Sequence, residues 1–336
     1  MINEAIKTIV AGQDLDHDTA AQVMDEIMSG EATNAEMAAF LTSLRMKGET
    51  VDEITACAEI MRSKATHITP DHDVLDIVGT GGDGTGTFNI STTAAFVISA
   101  AGIPIAKHGN RSMSSKSGSA DCLENLGVDI TISPERSKEI LDSEGICFMF
   151  AQGYHSSMKY VGPVRKEIGI RNVFNVLGPL TNPASATLQV TGVYSAEIVE
   201  PIARVFSNLG VKRGIVLYGG DGMDEATVST STKICEIDNG TFKTYEITPE
   251  QFGLGRYPME ELLGGDGAEN AVITRGILSG EIKGAKRDIV LLNAALGIYI
   301  GGKADSIKDG VKVAEEIIDS GKALEKLEKF AELSKQ

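Results

Sequence analysis

The stretch VLDIVGTGGDGTGTFNIST, residues 74–92, decides the reading of this chain. Val74, Leu75, Ile77 and Val78 form a short apolar run that ends abruptly in glycine. From Gly79 to Ser91, six of thirteen residues are Gly or Asp, and Ser91 and Thr92 then open an Ala-rich apolar run over 94–101. The order is strand, glycine turn, helix N-terminus. Glycines let backbone N–H groups approach a ligand closely, and a helix N-terminus aims free donors and a positive dipole end at it. Such a turn suits a phosphate or pyrophosphate.

Gly79-Thr80-Gly81-Gly82-Asp83-Gly84 matches G-x-G-x-x-G, a weak signal alone in a chain with 37 glycines. A dinucleotide site also wants an acidic residue about 20 positions on. Here the next strand-like run, 103–106, ends instead in Lys107-His108-Gly109-Asn110-Arg111. The P-loop pattern fails too, because no Gly-Lys-Ser/Thr follows the glycines. Asp83 inside an anion-binding turn is costly unless sugar hydroxyls or a cation offset its charge. Sugar, phosphate and metal together fit better than phosphate alone.

With 336 residues, 42% of them hydrophobic, the chain can bury a full core and implies two domains, or one large and one smaller. The 31 basic and 47 acidic residues give a net charge of −16, which argues against a general nucleic-acid or anionic-membrane binder. An anionic substrate must then be held by local bases or metal. The bases do cluster, at Lys107/His108/Arg111/Lys116 and at Lys159/Arg165/Lys166/Arg171. Cys57, Cys122, Cys147 and Cys235 have no C-x-x-C spacing and read as buried free thiols of a reducing cytoplasm. No signal pattern and no long apolar window appear, so a soluble cytoplasmic protein without membrane contact is expected.

Residues 1–66 read as all-helical, with apolar residues at helical spacing in 20–28, 37–46 and 51–61. Thr33…Glu36 and Thr50…Glu53 have capping-box spacing. These short helices need a partner for their apolar faces, and a helical domain that also dimerises is expected. From Pro70 onward strands and helices alternate: strand 74–78, helix 91–101, strand 103–106, helix 117–126, strand 128–132, helix 134–143, strand 146–150, then strands 189–193 and 214–218. That pattern predicts a parallel sheet covered on both faces. Segments 233–238 and 241–247 around Asn239-Gly240 predict a type I′ hairpin, and 268–320 returns to helix. Gly-Gly-Asp-Gly recurs at 219 and 264; the last, in a polar loop, reads as a turn only. Ligands of an open parallel sheet collect beyond the strand C-termini, so the segments after Gly79, Lys107, Phe150 and Gly219 should meet at one site.

Three further constellations carry chemistry. The polar run 107–121 is long for a connection, and its hydroxyls, amides and Lys107 suit phosphate oxygens. Asp224-Glu225 follows the predicted strand 214–218, and adjacent carboxylates ionise together cheaply only around a cation; oxygen donors beside a phosphate suggest Mg2+. In FAQGYHSSMKYVGPVR, residues 150–165, His155 is open to three roles: base, substrate contact or structural histidine. Arg165 follows Gly162-Pro163, a hinge-like break, and can clamp a carboxylate with its planar fork. VLGPLTNP, 176–183, reads as a rigid turn rather than a helix. No covalent nucleophile is apparent.

Together these motifs resemble the anthranilate phosphoribosyltransferase family. The resembling blocks are GTGGD (79–83), NIST (89–92), KHGNR with SSKSGSAD (107–121), the 150–165 block, NVLGPLTNP (175–183) and DGMDE (221–225). One departure is His155-Ser156, where the family often has His-Pro. The resemblance implies a small all-helical N-terminal domain over 1–69, completed by about 161–184. It implies a large α/β domain of nucleoside-phosphorylase type over 70–160 and 185–336, with a central, mostly parallel sheet flanked by helices. It implies a homodimer through the helical domain. It places phosphoribosyl pyrophosphate on Gly79, Gly82, Asp83, Thr87, Asn89, Ile90, Ser91 and Thr92, and on Lys107, His108, Gly109, Asn110, Arg111, Ser112, Met113, Ser114, Ser115 and Ser119. It places anthranilate on Gly79, Asn110, His155, Arg165 and Gly178, and Mg2+ on Ser91, Asp224 and Glu225. The reaction implied is transfer of the phosphoribosyl group to the anthranilate amine, a step of tryptophan biosynthesis.

Three other readings are weaker. A pyrimidine nucleoside phosphorylase would carry Lys-His-Ser-Thr-Gly-Gly, which is absent. A nucleic-acid-binding relative conflicts with the −16 charge and the intact acidic pair. A dinucleotide-dependent oxidoreductase lacks its acidic ribose residue.

Overall fold

A computed structural model describes every residue of the chain except 113–115, so Met113, Ser114 and Ser115 lie outside the described residues. The chain begins with four helices: α1 (Ile2–Val10), α2 (His17–Ser29), α3 (Asn34–Lys47) and α4 (Val51–Ser63). Both expected capping boxes form. Thr33 and Thr50 accept from the N–H groups of Glu36 and Glu53, whose side chains accept from the cap N–H in return. This satisfies donors that the first helical turn leaves free.

The rest of the chain runs β1 (Leu75–Gly79), α5 (Ile90–Ala100), β2 (Ile105–Gly109), α6 (Ser119–Asn125), α7 (Pro134–Glu144), β3 (Ile146–Phe150), α8 (Ala151–Tyr154), α9 (Met158–Ile168) and α10 (Phe174–Leu180). It continues through β4 (Leu188–Gly192), α11 (Val199–Asn208), β5 (Arg213–Gly219), β6 (Thr232–Asp238), β7 (Thr241–Ile247), α12 (Gly267–Leu278), α13 (Ala285–Ile300), α14 (Ile307–Asp319) and α15 (Lys322–Leu333). The seven strands form one sheet in the order β3-β2-β1-β4-β5-β6-β7. The first five are mutually parallel, and the hairpin β6–β7 adds antiparallel strands at one edge. Asn239 and Gly240 both have positive φ, +46° and +81°, as the hairpin's tight turn requires.

Alternation sorts side chains to two faces. Ile215 and Leu217 pack in a core with α5, α13 and α15, whereas Val216, Cys235 and Ile237 pack with α11 and with the helical residues of α2–α4, α9 and α10. The helical bundle therefore has no separate core: its apolar cluster is continuous with one face of the sheet. All four cysteines are buried free thiols.

Three expectations are corrected. Residues 128–132 are not a strand. Val128 and Ile130 are buried, but Asp129 folds the backbone into a turn by accepting from the Thr131 N–H at 2.8 Å, and its own N–H goes to Ser334 Oγ. Gly162-Pro163 is no hinge, because α9 runs through it, and 176–183 is not wholly a turn, because α10 contains Pro179. Each proline forfeits one backbone bond, to the carbonyls of Lys159 and Asn175. Burial of Val161, Val164, Leu177 and Leu180 in the helical core offsets that loss.

Candidate active site

The chain leaves β1 toward β2 and β3 on one side and returns to β4 and β5 on the other. The crevice beyond β1 and β4 is thus the topological switch point, where an open α/β sheet binds ligands. Two glycines face each other there in the ladder, Gly79 and Gly192. Their missing side chains admit the acidic pair. A Cβ on Gly79 would lie 2.2 Å from Asp224 Oδ2, and one on Gly192 would lie 1.6 Å from the Asp224 carbonyl oxygen. Gly192→Ala is therefore expected to destabilise the fold by about 3 kcal/mol. An unchanged melting temperature would show that the strand end yields instead.

The glycine turn wraps around this pair. Gly81, Gly82, Gly84 and Gly86 all have φ between +70° and +75°, which side-chain-bearing residues adopt only with strain. Thr80 N–H donates to the Gly192 carbonyl at 2.9 Å and Gly81 N–H to Asp224 Oδ2 at 2.6 Å. Asp83 accepts from the N–H and hydroxyl of Thr85. Ser91, in the first turn of α5, donates its N–H to Glu225 Oε1 at 3.1 Å. Lys107 reaches up from β2, buried, to donate to the Ile77 carbonyl and approach Ser91 Oγ at 3.5 Å. Gly79, Gly82, Asp83, Ser91, Lys107, Asp224 and Glu225 thus meet, as their strand ends imply.

The electrostatics mark the place. Burial, reinforced by Asp83 and Glu225, holds the Asp224 carboxyl well above the usual carboxylate range. Burial pushes Glu225 up to about 7, although Lys107 opposes the shift. Burial also lowers Lys107, against the pull of Asp76, Glu225 and Asp224. Buried carboxylates at such close quarters relax when a cation neutralises them. Among the described residues no three His, Cys, Asp or Glu side chains have metal-ligand spacing. Two carboxylates beside the Ser91 hydroxyl would suit a hard ion that retains water and phosphate ligands.

Around this centre the other expected residues fall into groups. Asn89 precedes α5 and is cross-linked: its Oδ1 accepts from Ser117 Oγ at 3.1 Å and from Asn270 Nδ2 at 2.9 Å. Thr87 bridges to Leu263. Ile90 and Thr92 are buried, so what they offer a ligand is backbone only. Gly109 is forced by close approach, since a Cβ there would meet Ser119 Oγ at 2.3 Å. Ser119 Oγ donates to the Asn110 carbonyl, and Ser112 N–H to Asp121 Oδ2. Arg111 is not turned toward the acidic centre: it pairs with Asp121 at 2.9 Å and Glu124 at 2.5 Å.

A second locus adjoins β2. His108 Nδ1 lies 3.1 Å from the Gly178 carbonyl, and the His108 and His155 rings are 5.0 Å apart. Both histidines are buried, and among the described residues His108 Nε2 and both His155 nitrogens have no hydrogen-bond partner. Burial lowers them from 6.5 to about 3 and about 4. Arg165, on α9, stacks 5.0 Å over Phe174 and has no ion-pair partner among the described residues; its Nε is buried and unbonded.

These histidines fix a pH dependence. Their folded values lie below the unfolded one, so the unfolded chain binds more protons, and stability present above pH 6.5 is lost as pH falls toward 4. Asp76, pushed up to about 6 by burial, and Glu225 act in the opposite sense, their contribution fading as pH rises through 6 to 7. The comparison must therefore be differential. Between pH 6 and 4.5, wild type should lose stability faster than His108→Gln/His155→Gln by roughly 1–3 kcal/mol per pH unit. Parallel denaturation curves would contradict neutral burial.

Several site residues carry no sequence signal. Asp76 is fully buried behind Lys107, accepting from Asn182 Nδ2 at 2.7 Å and the His108 N–H at 3.2 Å. The third Gly-Gly-Asp-Gly is more than a turn: Gly264 N–H donates to the Gly86 carbonyl, and a Cβ on Gly264 would collide with the Phe88 backbone. Asn293 on α13 holds Ala226 by both its N–H and its carbonyl, which seats the neighbouring Glu225. Only the buried polarity of Asn182, Asn270 and Asn293 within apolar segments could have pointed to them.

Comparison with known proteins places this geometry in a class. Residues 71–324 match the family described as glycosyl transferase family, a/b domain, and residues 3–65 match its helical bundle domain. An anthranilate phosphoribosyltransferase of Ruminiclostridium cellulolyticum is 57% identical over 334 residues, 99% of this chain and 98% of that protein. The crystal structure of anthranilate phosphoribosyltransferase from Thermus thermophilus superposes with a TM-score of 0.94 at 44% identity, covering 99% of both chains. The enzyme from Saccharomyces cerevisiae, solved in complex with PRPP and Mg, has a TM-score of 0.91 at 29% identity, covering 99% of this chain and 98% of that one. The chain belongs to the anthranilate phosphoribosyltransferase family.

Proposed function

We propose that this protein transfers the phosphoribosyl group of 5-phosphoribosyl 1-pyrophosphate to the amine of anthranilate, releasing pyrophosphate, in tryptophan biosynthesis. The observation that carries the reading is the meeting of the glycine turn, Lys107 and the Asp224/Glu225 pair at the switch point. Arg165, which has no ion-pair partner among the described residues, would supply the acceptor's carboxylate site.

The division of labour follows. Gly79, Gly82, Asp83, Thr87, Asn89, Ile90, Ser91 and Thr92 would line the sugar-pyrophosphate site, and Lys107 through Ser115 with Ser119 would complete it. Asp224, Glu225 and Ser91 would hold Mg2+, whose bound charge offsets that of the leaving pyrophosphate. Lys107 and the backbone donors of the turn supply further fixed positive potential there. Arg165 grips the anthranilate carboxylate and aims the amine at C1 of the ribose, a contribution of orientation. Gly79, Asn110, Gly178 and His155 shape that pocket. Burial keeps His155 neutral, so it serves as a contact or proton acceptor, never as a standing cation. An arylamine loses its proton readily once it has attacked, so no dedicated strong base is needed.

The helical domain over 1–69, completed by about 161–184, would present α1 and α3 to a second copy. The outward apolar side chains Val10 and Met46, 72% and 83% exposed, support a homodimer through that face. No helix among the described residues is long and apolar enough to cross a membrane.

The test follows anthranilate fluorescence on mixing with protein, phosphoribosyl pyrophosphate and Mg2+. Decay that requires all three is expected. No decay would move the search to other acceptors, and absence of any stabilisation by the sugar pyrophosphate would end the reading.

A further inference from the structure

Arg171 lies on the linker between α9 and α10. Its Nη2 donates to the Gly82 carbonyl at 2.6 Å, while its guanidinium lies 4.0 Å over the ring of Tyr194, just beyond β4. The linker is stiff. Gly169 N–H closes on the Arg165 carbonyl at 3.2 Å. Buried Asn172 donates to the Ile170 carbonyl at 3.0 Å and accepts from the Phe174 N–H at 3.2 Å. Arg165, stacked on Phe174, and Arg171 therefore belong to one rigid unit.

Beyond the Asp83–Thr85 bonds, the glycine turn is tied from outside. Gly192 and Asp224 secure its first arm, and Gly264 secures its last. Its middle, at Gly82, is bonded to Arg171. One unit thus carries the acceptor's arginine at one end and grips the donor's turn at the other. We propose that Arg171 is a positioning residue that couples anthranilate binding to the seating of the pyrophosphate turn. The inference rests on the function proposed above. A ligand that seats one end of this rigid unit positions the other end for the second ligand, and the coupling is reciprocal. Arginine suits the role because its planar fork stacks and donates at once; lysine can donate but not stack.

The experiment measures the Kd of anthranilate from its fluorescence, without and with Mg2+ and pyrophosphate, a pair that binds without turnover. Wild type should bind anthranilate at least about fivefold more tightly when both are present. Arg171→Ala should reduce that gain to less than about twofold while anthranilate alone binds within about threefold of wild type. Arg171→Lys and Tyr194→Leu should fall between, and Tyr194→Leu carries the test if Arg171→Ala fails to fold. Full coupling in Arg171→Ala, or none in wild type, would overturn the proposal. Absence of wild-type turnover overturns the proposed function; full turnover without coupling overturns only the role of Arg171.

Discussion

Asp224→Asn combined with Glu225→Gln is expected to lower kcat/KM by about three orders of magnitude and to abolish the saturable Mg2+ dependence of the reaction. The two carboxylates lie side by side at the switch point, and burial raises both. Removing the charge takes away the reason for a cation to settle there. The fold should survive, because the amides keep the shape of the acids. The amide replacing Asp224 loses only charge assistance in accepting from the Gly81 N–H, and the amide replacing Glu225 can still accept from the Ser91 N–H. The substituted protein should gain stability as pH rises from 6 to 8 relative to wild type, since it no longer carries carboxyls whose ionisation is opposed in the fold. A Mg2+ titration superimposable on wild type would reject both residues as ligands.

Arg165→Ala is expected to raise the KM for anthranilate about 100-fold while that for phosphoribosyl pyrophosphate changes less than about threefold. The guanidinium is stacked, partly buried and without a carboxylate partner among the described residues. Burial lowers its pKa, which reports a desolvated charge in need of an anion. A substrate carboxylate in a bidentate grip would meet that need. kcat should fall as well, because an amine that is not aimed spends less time in line with the sugar carbon. Equal changes in the two KM values would show that Arg165 holds the architecture rather than the acceptor.

Much of the fold was legible because its signals are local. The alternation of apolar runs and helical spacing located β1, β3, β4, β5 and the hairpin within a residue or two. Thr33 and Thr50 announced their helices through the side-chain chemistry of capping. The failures have one cause, tertiary override of local preference. Val128 and Ile130 look like a strand, but they are buried at a turn whose backbone N–H groups go to Leu123 and Ser334 rather than to a ladder. Pro163 and Pro179 ought to break helices, but the burial gained across α9 and α10 outweighs the one bond that each removes.

By itself the sequence determined the class of ligand and the meeting of the strand ends: glycines at 79–86, bases at the end of β2 and an acidic pair after β5 can be read from composition and order. Only the tertiary structure decided which groups carry charge and which merely hold shape. Arg111, expected at the phosphate, pairs with Asp121 and Glu124. Asp76, Asn182, Asn270 and Asn293 hold the site from positions to which the sequence reading gives no role. The physical reason is range. Backbone preference acts over a few residues, whereas desolvation and hydrogen-bond satisfaction depend on whatever the fold brings within about 3 Å. For Asp76 that partner is Asn182, 106 residues further along the chain.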